Sequence, residues 1–265
     1  MLYIMNISLK GKKALVGGAS GGIGKAIAIQ LAKSGASVTV VSRSEDKLKN
    51  VVENLETSEH QKHQYLVVDY NNYQSYKTII DTYFESNIID ILVNNTQGPD
   101  AGNTLSKGVT DYQQAFDLLF KTTVYTTEQA LKSMNNNKWG RIINVASVSV
   151  KEPLSYLALS NTIRAAVVTW GKSLATDVGI NNITVNSILT GYFDTDRIKN
   201  LNATKAKELN IPEEEVRNQM EEKVSLKRIG NPEEYGFLVA FLASENASYI
   251  TGTSIPIDGG LLKSI

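Results

Sequence analysis

Residues 13–33, KALVGGASGGIGKAIAIQLAK, decide how the rest of the chain is read. A short apolar run, KALVG at 13–17, enters the turn Gly17-Gly18-Ala19-Ser20-Gly21-Gly22-Ile23-Gly24 and leaves it as Lys25-Ala26-Ile27-Ala28-Ile29, a helix-forming pattern. The glycines of such a turn have separate tasks. Some take positive φ, some let a ligand approach the backbone, and one lets the helix pack closely on the strand. The first turn of the helix offers unpaired N–H groups and the positive end of its dipole to an anion. Strand, glycine loop and helix in that order predict a cradle for the diphosphate of a dinucleotide. Its candidate contacts are Gly18, Ser20, Gly21, Gly22, Ile23 and Gly24.

Outward from this loop, apolar runs alternate with longer helical patterns. Strands are predicted at 13–17, 37–42, 64–68, 89–93, 141–146, 183–188 and 254–257. Most are near-continuous apolar runs, as expected for parallel strands covered on both faces. Helices are predicted at about 22–34, 44–56, 71–86, 110–136, 155–178 and 231–243. This alternation predicts an α/β fold: a Rossmann-type, doubly wound parallel sheet of about seven strands with helices on both faces. No linker rich in Pro, Gly or Ser and no internal repeat interrupts residues 1–265, so one domain is expected. Residues 194–227 break the alternation with a charged, helix-rich stretch in which Pro212 is placed to start a helix. Between a strand and the last helix, such an insertion is placed to cover an active site or to form a solvated excursion.

The end of the second strand bears on the nucleotide. An acidic residue about 20 positions after the loop would bond the ribose 2′-OH of NAD. Here the stretch reads Val41-Ser42-Arg43-Ser44, with Arg43 nineteen residues past Gly24. A guanidinium there can fork onto a 2′-phosphate, so NADP(H) is favoured over NAD(H).

Composition narrows the rest. The chain has 27 Lys+Arg against 27 Asp+Glu, which argues against a generally basic nucleic-acid binder. It has no Cys, which removes disulfides, thiolate metal sites and thiol nucleophiles. Its two His, His60 and His63, share one polar stretch and are read as part of a solvated loop rather than a metal site, so no metal is expected. No run approaches the roughly 20 apolar residues of a membrane span, and the N-terminus does not read as a signal peptide. A cytoplasmic, soluble protein with no membrane partner is expected.

With several motifs in order, the whole chain resembles the short-chain dehydrogenase/reductase family, and within it the 3-oxoacyl-carrier-protein-reductase-like members. Gly18-x-x-x-Gly22-x-Gly24 resembles the family's cofactor loop. Asp69, with Tyr70 beside it, stands where the family meets the adenine. Asn94-Asn95-Thr96-Gln97-Gly98 resembles the Asn-Asn-Ala-Gly segment with one extra residue, and Asn186 lies in the family's Val-Asn pair. Thr190-Gly191 stands where the family has Pro-Gly beside the nicotinamide. Arg228-Ile229-Gly230-Asn231-Pro232-Glu233-Glu234 and Asp258-Gly259-Gly260 complete the match. The resemblance implies cofactor contacts at Ser42, Arg43, Asp69, Tyr70, Asn95, Arg164, Thr190 and Gly191, and a carbonyl or acyl-thioester substrate. It also implies a homotetramer or homodimer built through the helices at 110–136 and 155–178 and the C-terminal strand.

The family's Asn-Ser-Tyr-Lys set fits only in part. Ser147 takes the serine position. Thirteen residues on, where the tyrosine belongs, stands Ser160, and four further, at the lysine position, stands Arg164. The Asn position falls on Leu119. An aliphatic hydroxyl is a far weaker acid than a phenol lowered by a cation, and guanidinium does not donate a proton at neutral pH. Lost acid–base help costs about 10²–10⁴-fold, while hydride transfer from a held cofactor can survive. Tyr156, four residues before Ser160, is a candidate surrogate if the helix has already begun there, and Tyr192 is expected near the nicotinamide. Two readings follow. One is an NADP(H)-dependent oxidoreductase with an altered proton relay, using Ser147, Ser160 and Arg164. The other is a catalytically silent NADP(H)-binding sensor or scaffold of the same fold.

Overall fold

The computed structural model describes residues 6–264; residues 1–5 of the short apolar N-terminal stretch, and residue 265, lie outside them. Seven strands form one parallel sheet: β1 (Lys13–Gly17), β2 (Ser37–Ser42), β3 (Gln64–Val67), β4 (Ile91–Asn94), β5 (Gly140–Val145), β6 (Ile183–Thr190) and β7 (Ser254–Ile257). Their order is β3-β2-β1-β4-β5-β6-β7, so the chain reverses direction across the sheet between β1 and β4. Open α/β sheets bind ligands at that point, outside the carboxyl ends of the strands.

The helices are α1 (Gly22–Lys33), α2 (Glu45–Glu53), α3 (Tyr73–Ser86), α4 (Val109–Phe116), α5 (Thr122–Asn137), α6 (Ala158–Val178), α7 (Asp196–Leu209), α8 (Glu213–Lys223) and α9 (Pro232–Ala243). On one face α1 and α9 cover a core containing Val16, Ile27, Leu31, Val40, Val239 and Leu242, all buried. Burying each large aliphatic side chain contributes about 1.5–3 kcal/mol. The two helices approach closely because α9 presents Gly236, where a Cβ would meet the Ala26 carbonyl oxygen at 2.8 Å. On the other face Tyr76, Ile80, Met134, Ile142 and Val185 form a second core. The N-terminus of α9 is capped by a reciprocal arrangement: Glu234 accepts from the Asn231 backbone N–H at 2.8 Å, with Pro232 at the first turn.

Three sequence expectations are corrected. The helix expected at 110–136 is two helices joined by a π-turn at Asp117–Lys121. The helix expected from 155 starts at Ala158, because Leu157 (φ −125°, ψ 39°) bridges to Gly102 and holds Ser155 and Tyr156 in a turn. A helix does begin at Pro212, which is the extended cap residue just before α8. His63 is more than part of a solvated loop: its Nδ1 accepts from the Val38 backbone N–H at 3.1 Å and its Nε2 contacts the Glu56 carbonyl at 2.8 Å, tying the loop to β2.

Candidate active site

The glycine loop leaves β1 and turns into α1 beside the end of β2, where the Ala19 N–H donates to the Val41 carbonyl at 3.1 Å. Gly18 (φ +59°) and Gly22 (φ +51°) occupy the left-handed region that glycine adopts freely. A Cβ at Gly24 would lie 2.2 Å from the Gly18 carbonyl oxygen, so only glycine lets α1 fold back onto the loop. Gly17 is equally constrained: its Cβ position lies 2.2 Å from the Asn95 carbonyl oxygen, and the Asn95 side-chain amide donates to the Gly17 carbonyl at 3.0 Å. Gly21 differs, because its Cβ position meets nothing within 4 Å. The loop therefore keeps open space at the start of α1, where no side chain caps the helix. Open space, bare backbone and unpaired N–H groups fit a diphosphate.

The neighbouring candidates surround this cradle unequally. Ser42 is buried and its Oγ accepts from the Ser44 N–H at 3.3 Å. Arg43 is exposed at the carboxyl end of β2, next to the loop. Asp69 is exposed and accepts from the backbone and side chain of Asn71 at 3.0 and 3.1 Å. The Tyr70 phenol lies behind the loop, 2.9 Å from the Gly17 Cβ position, and burial pushes its pKa well above the ordinary value. Thr190, at the end of β6, shares a hydrogen bond of 3.0 Å with the Tyr235 hydroxyl of α9. Gly191 is pressed against Asp258, with its Cβ position 2.6 Å from the Asp258 Cα. Asn186 is structural: it donates to the Ile250 carbonyl and accepts from Thr253, joining β6 to the turn before β7.

At the carboxyl end of β5, Ser147 caps a short 3₁₀ turn, its Oγ accepting from the Ser149 N–H at 3.1 Å. Ser160 is buried on the first turn of α6, and Arg164 follows one turn later on the same face. The Arg164 guanidinium reaches back to the Val145 carbonyl, two residues before Ser147. Arg164 thus ties the first turns of α6, which carry Ser160, to the strand end that leads into Ser147. Desolvation, with the charge of Arg197 as a second cause, pulls Arg164 down to about 10, which still leaves it cationic at neutral pH. Leu119 lies inside the π-turn and packs with Leu159 and Ile163 of α6 in a buried apolar cluster.

Tyr156 precedes α6 and does not share a helical face with Ser160. It is 43% exposed, and burial of its phenol raises the pKa. Tyr192 interacts with it, and burial pushes Tyr192 up to about 12. Neither phenol is lowered toward neutrality.

Three residues that sequence reasoning passed over belong to the same cleft. Thr195 begins α7 and reaches the glycine loop, its Cγ2 3.0 Å from the Gly22 Cβ position. Arg197, two residues on, crosses to the segment after β4 and donates to the Gly98 and Pro99 carbonyls at 3.4 and 3.3 Å. Tyr235 is fully buried beneath Thr190. No spacing rule announces them: Thr195 and Arg197 start a charged helix, and Tyr235 sits in an apolar one. Among the described residues no group of His, Asp and Glu is arranged to hold a metal ion, and no helix is long and apolar enough to cross a membrane.

Comparison with known proteins bears on this geometry. Residues 18–262 match the family model described as enoyl-(acyl carrier protein) reductase. The chain is 32% identical over 256 residues to the NADPH-dependent reductase BacG of Bacillus subtilis, covering 96% of this chain and 99% of that one. It is 32% identical over 258 residues to the 3-oxoacyl-(acyl-carrier-protein) reductase FabG of Aquifex aeolicus, covering 97% and 100%. Among solved structures, the L-sorbose reductase of Gluconobacter frateurii complexed with NADPH and L-sorbose superposes with a TM-score of 0.91 at 29% identity, covering 98% and 100%.

Proposed function

The chain belongs to the short-chain dehydrogenase/reductase family, and from that premise we propose that it is an NADP(H)-dependent oxidoreductase acting on a carbonyl or hydroxyl substrate through a relay in which Ser160 and Arg164 replace the usual Tyr and Lys. The observation that carries this reading is the open cradle at Gly21 with the exposed Arg43 beside it. NADPH-dependent relatives and an NADPH-bound structural neighbour support the same cofactor. The reading takes residues 1–265 as one domain with 194–227 as a lid, in the cytoplasm and as a homotetramer or homodimer.

NADPH, when bound, supplies the hydride that goes to the carbonyl carbon. The protein's part is to hold the substrate oxygen. Ser147 and Ser160 donate hydrogen bonds to it, and the Arg164 cation stabilises the negative charge that develops there. The proton that completes the alcohol comes from solvent, because the nearby phenols Tyr156 and Tyr192 are raised, not lowered. The Arg164 bond to Val145 fixes the guanidinium at the strand end, so little reorganisation is required when charge appears.

The test is NADPH consumption with small ketones, oxo acids and acetoacetyl thioesters. Turnover that drops about 10²-fold or more in Ser160→Ala and Arg164→Ala supports the reading. Tight NADPH binding with no turnover of any carbonyl substrate would favour the silent binding protein.

A further inference from the structure

Two guanidiniums, Arg164 and Arg197, come near enough in the cleft for one to lower the other, and among the described residues neither is in a salt bridge. Arg164 comes from α6 and makes one hydrogen bond among the described residues, to the Val145 carbonyl, leaving its other N–H groups available. Arg197 comes from α7 and sits at the mouth of the cleft, exposed as a residue but with its head against Gly98, whose Cβ position lies 2.4 Å from Nη2. Its bonds to the Gly98 and Pro99 carbonyls, at 3.4 and 3.3 Å, are long for N–H···O. Among the described residues neither guanidinium has a carboxylate within 4.0 Å. Both are lowered by desolvation, and Arg164 also by Arg197, while the Asp100 carboxylate, too far for a salt bridge, offsets only part of this at Arg197. Like charges that face one another across a cleft are costly to hold there unless an anion joins them.

We infer that Arg197 and Arg164 together form a carboxylate subsite, so that the substrate is an oxo acid whose carboxylate lies close to the reacting carbonyl. This rests on the oxidoreductase reading above and narrows its substrate class. A carboxylate can accept a fork from each planar guanidinium, which an ester or thioester cannot reproduce as an ion pair. The competing anion is a phosphate of the cofactor. Geometry favours the substrate: Thr195 is the α7 residue turned to the glycine loop, whereas Arg197 is turned to the segment after β4.

The experiment measures kcat/KM with NADPH for 2-oxo and 3-oxo carboxylic acids against their methyl esters, in wild type, Arg197→Gln and Arg197→Lys, and NADPH affinity by fluorescence in each. Expected are a preference for the acid in wild type and a collapse of the acid-to-ester ratio by about 100-fold in Arg197→Gln. Partial recovery in Arg197→Lys and an NADPH affinity within about threefold of wild type complete the expected result. Equal turnover of acid and ester by wild type overturns the subsite. An Arg197→Gln variant that loses NADPH affinity and leaves the ratio unchanged assigns the arginine to a cofactor phosphate and overturns it too. So does an acid that neither reacts nor perturbs the fluorescence of the NADPH complex. A wild type that binds no NADPH at all would instead remove the underlying oxidoreductase reading.

Discussion

At Ser160 and Arg164 the chain exchanges a tunable acid for a hydroxyl and a fixed cation, and this changes how rate should depend on pH. A phenol that serves as general acid imposes its own ionisation on kcat/KM. Here Tyr192 is pushed up to about 12 and Tyr156 is also raised, while Arg164, at about 10, keeps its charge through neutrality. A lowered group loses its proton earlier as pH rises, so the Arg164 cation is present below about 10 and lost above it. The reduction should therefore show a flat kcat/KM between about pH 6 and 9, with any fall beginning only toward pH 10. A break below pH 8 would point to an ionising phenol. Ser147, Ser160 and Arg164 were singled out by the family resemblance, and Arg43 by its interval past the glycine loop. Arg197 was not, since its place in the cleft depends on how α7 turns back over the sheet. Nor was the standing of Tyr156, which depends on the bridge from Leu157 to Gly102 that delays α6.

Among the elements, the turn from β1 to α1 separates folding from binding within four residues. Gly24→Ala places a methyl 2.2 Å from the Gly18 carbonyl oxygen, so α1 must shift off the loop, and a loss of more than about 2 kcal/mol of stability is expected by chemical denaturation. Gly21 has φ −174°, which any residue adopts, and nothing within 4 Å of its Cβ position. Gly21→Ala should leave the denaturation midpoint nearly unchanged and yet weaken NADPH binding at least tenfold, because its methyl stands in the cradle. The cap of α9 makes a different prediction. Arg228 and the Asn231 N–H lower Glu234 to about 2. A depressed carboxylate contributes stability that is present above its unfolded value, about 4.5, and lost as pH falls toward 2. Glu234→Gln should cost about 1 kcal/mol at pH 7, discounted because the pair is part-exposed and screened, and almost nothing at pH 2. The strand runs at 13–17, 37–42 and 254–257 were readable to the residue, since continuous apolar runs between polar turns have sharp ends. The π-turn at Asp117–Lys121 was not, because both flanking helices continue its pattern and nothing local marks the extra residue.

For the whole molecule, the strand order puts the glycine loop, the Asn95 segment and the Ser147 turn along one edge of the sheet, so a dinucleotide laid across β1 and β4 brings its reactive end toward β5. The alternation of apolar runs and helical patterns made this architecture readable, because burial on both faces leaves a parallel strand little other composition. The position of α7 and α8 was less readable. Their charged sequence says only that they face solvent, and the contacts that seat them, Thr195 on Gly22 and Arg217 on Asp194 at 3.3 Å, join residues far apart along the sheet edge or the chain. Fluorescence titration of the full chain with NADPH and NADH, in wild type and Arg43→Asp, tests the central claim most directly. Wild type should bind NADPH at least tenfold more tightly than NADH, and Arg43→Asp should remove or reverse this preference; failure to bind either nucleotide, or an unaltered preference in Arg43→Asp, would rule out the NADP(H) cradle.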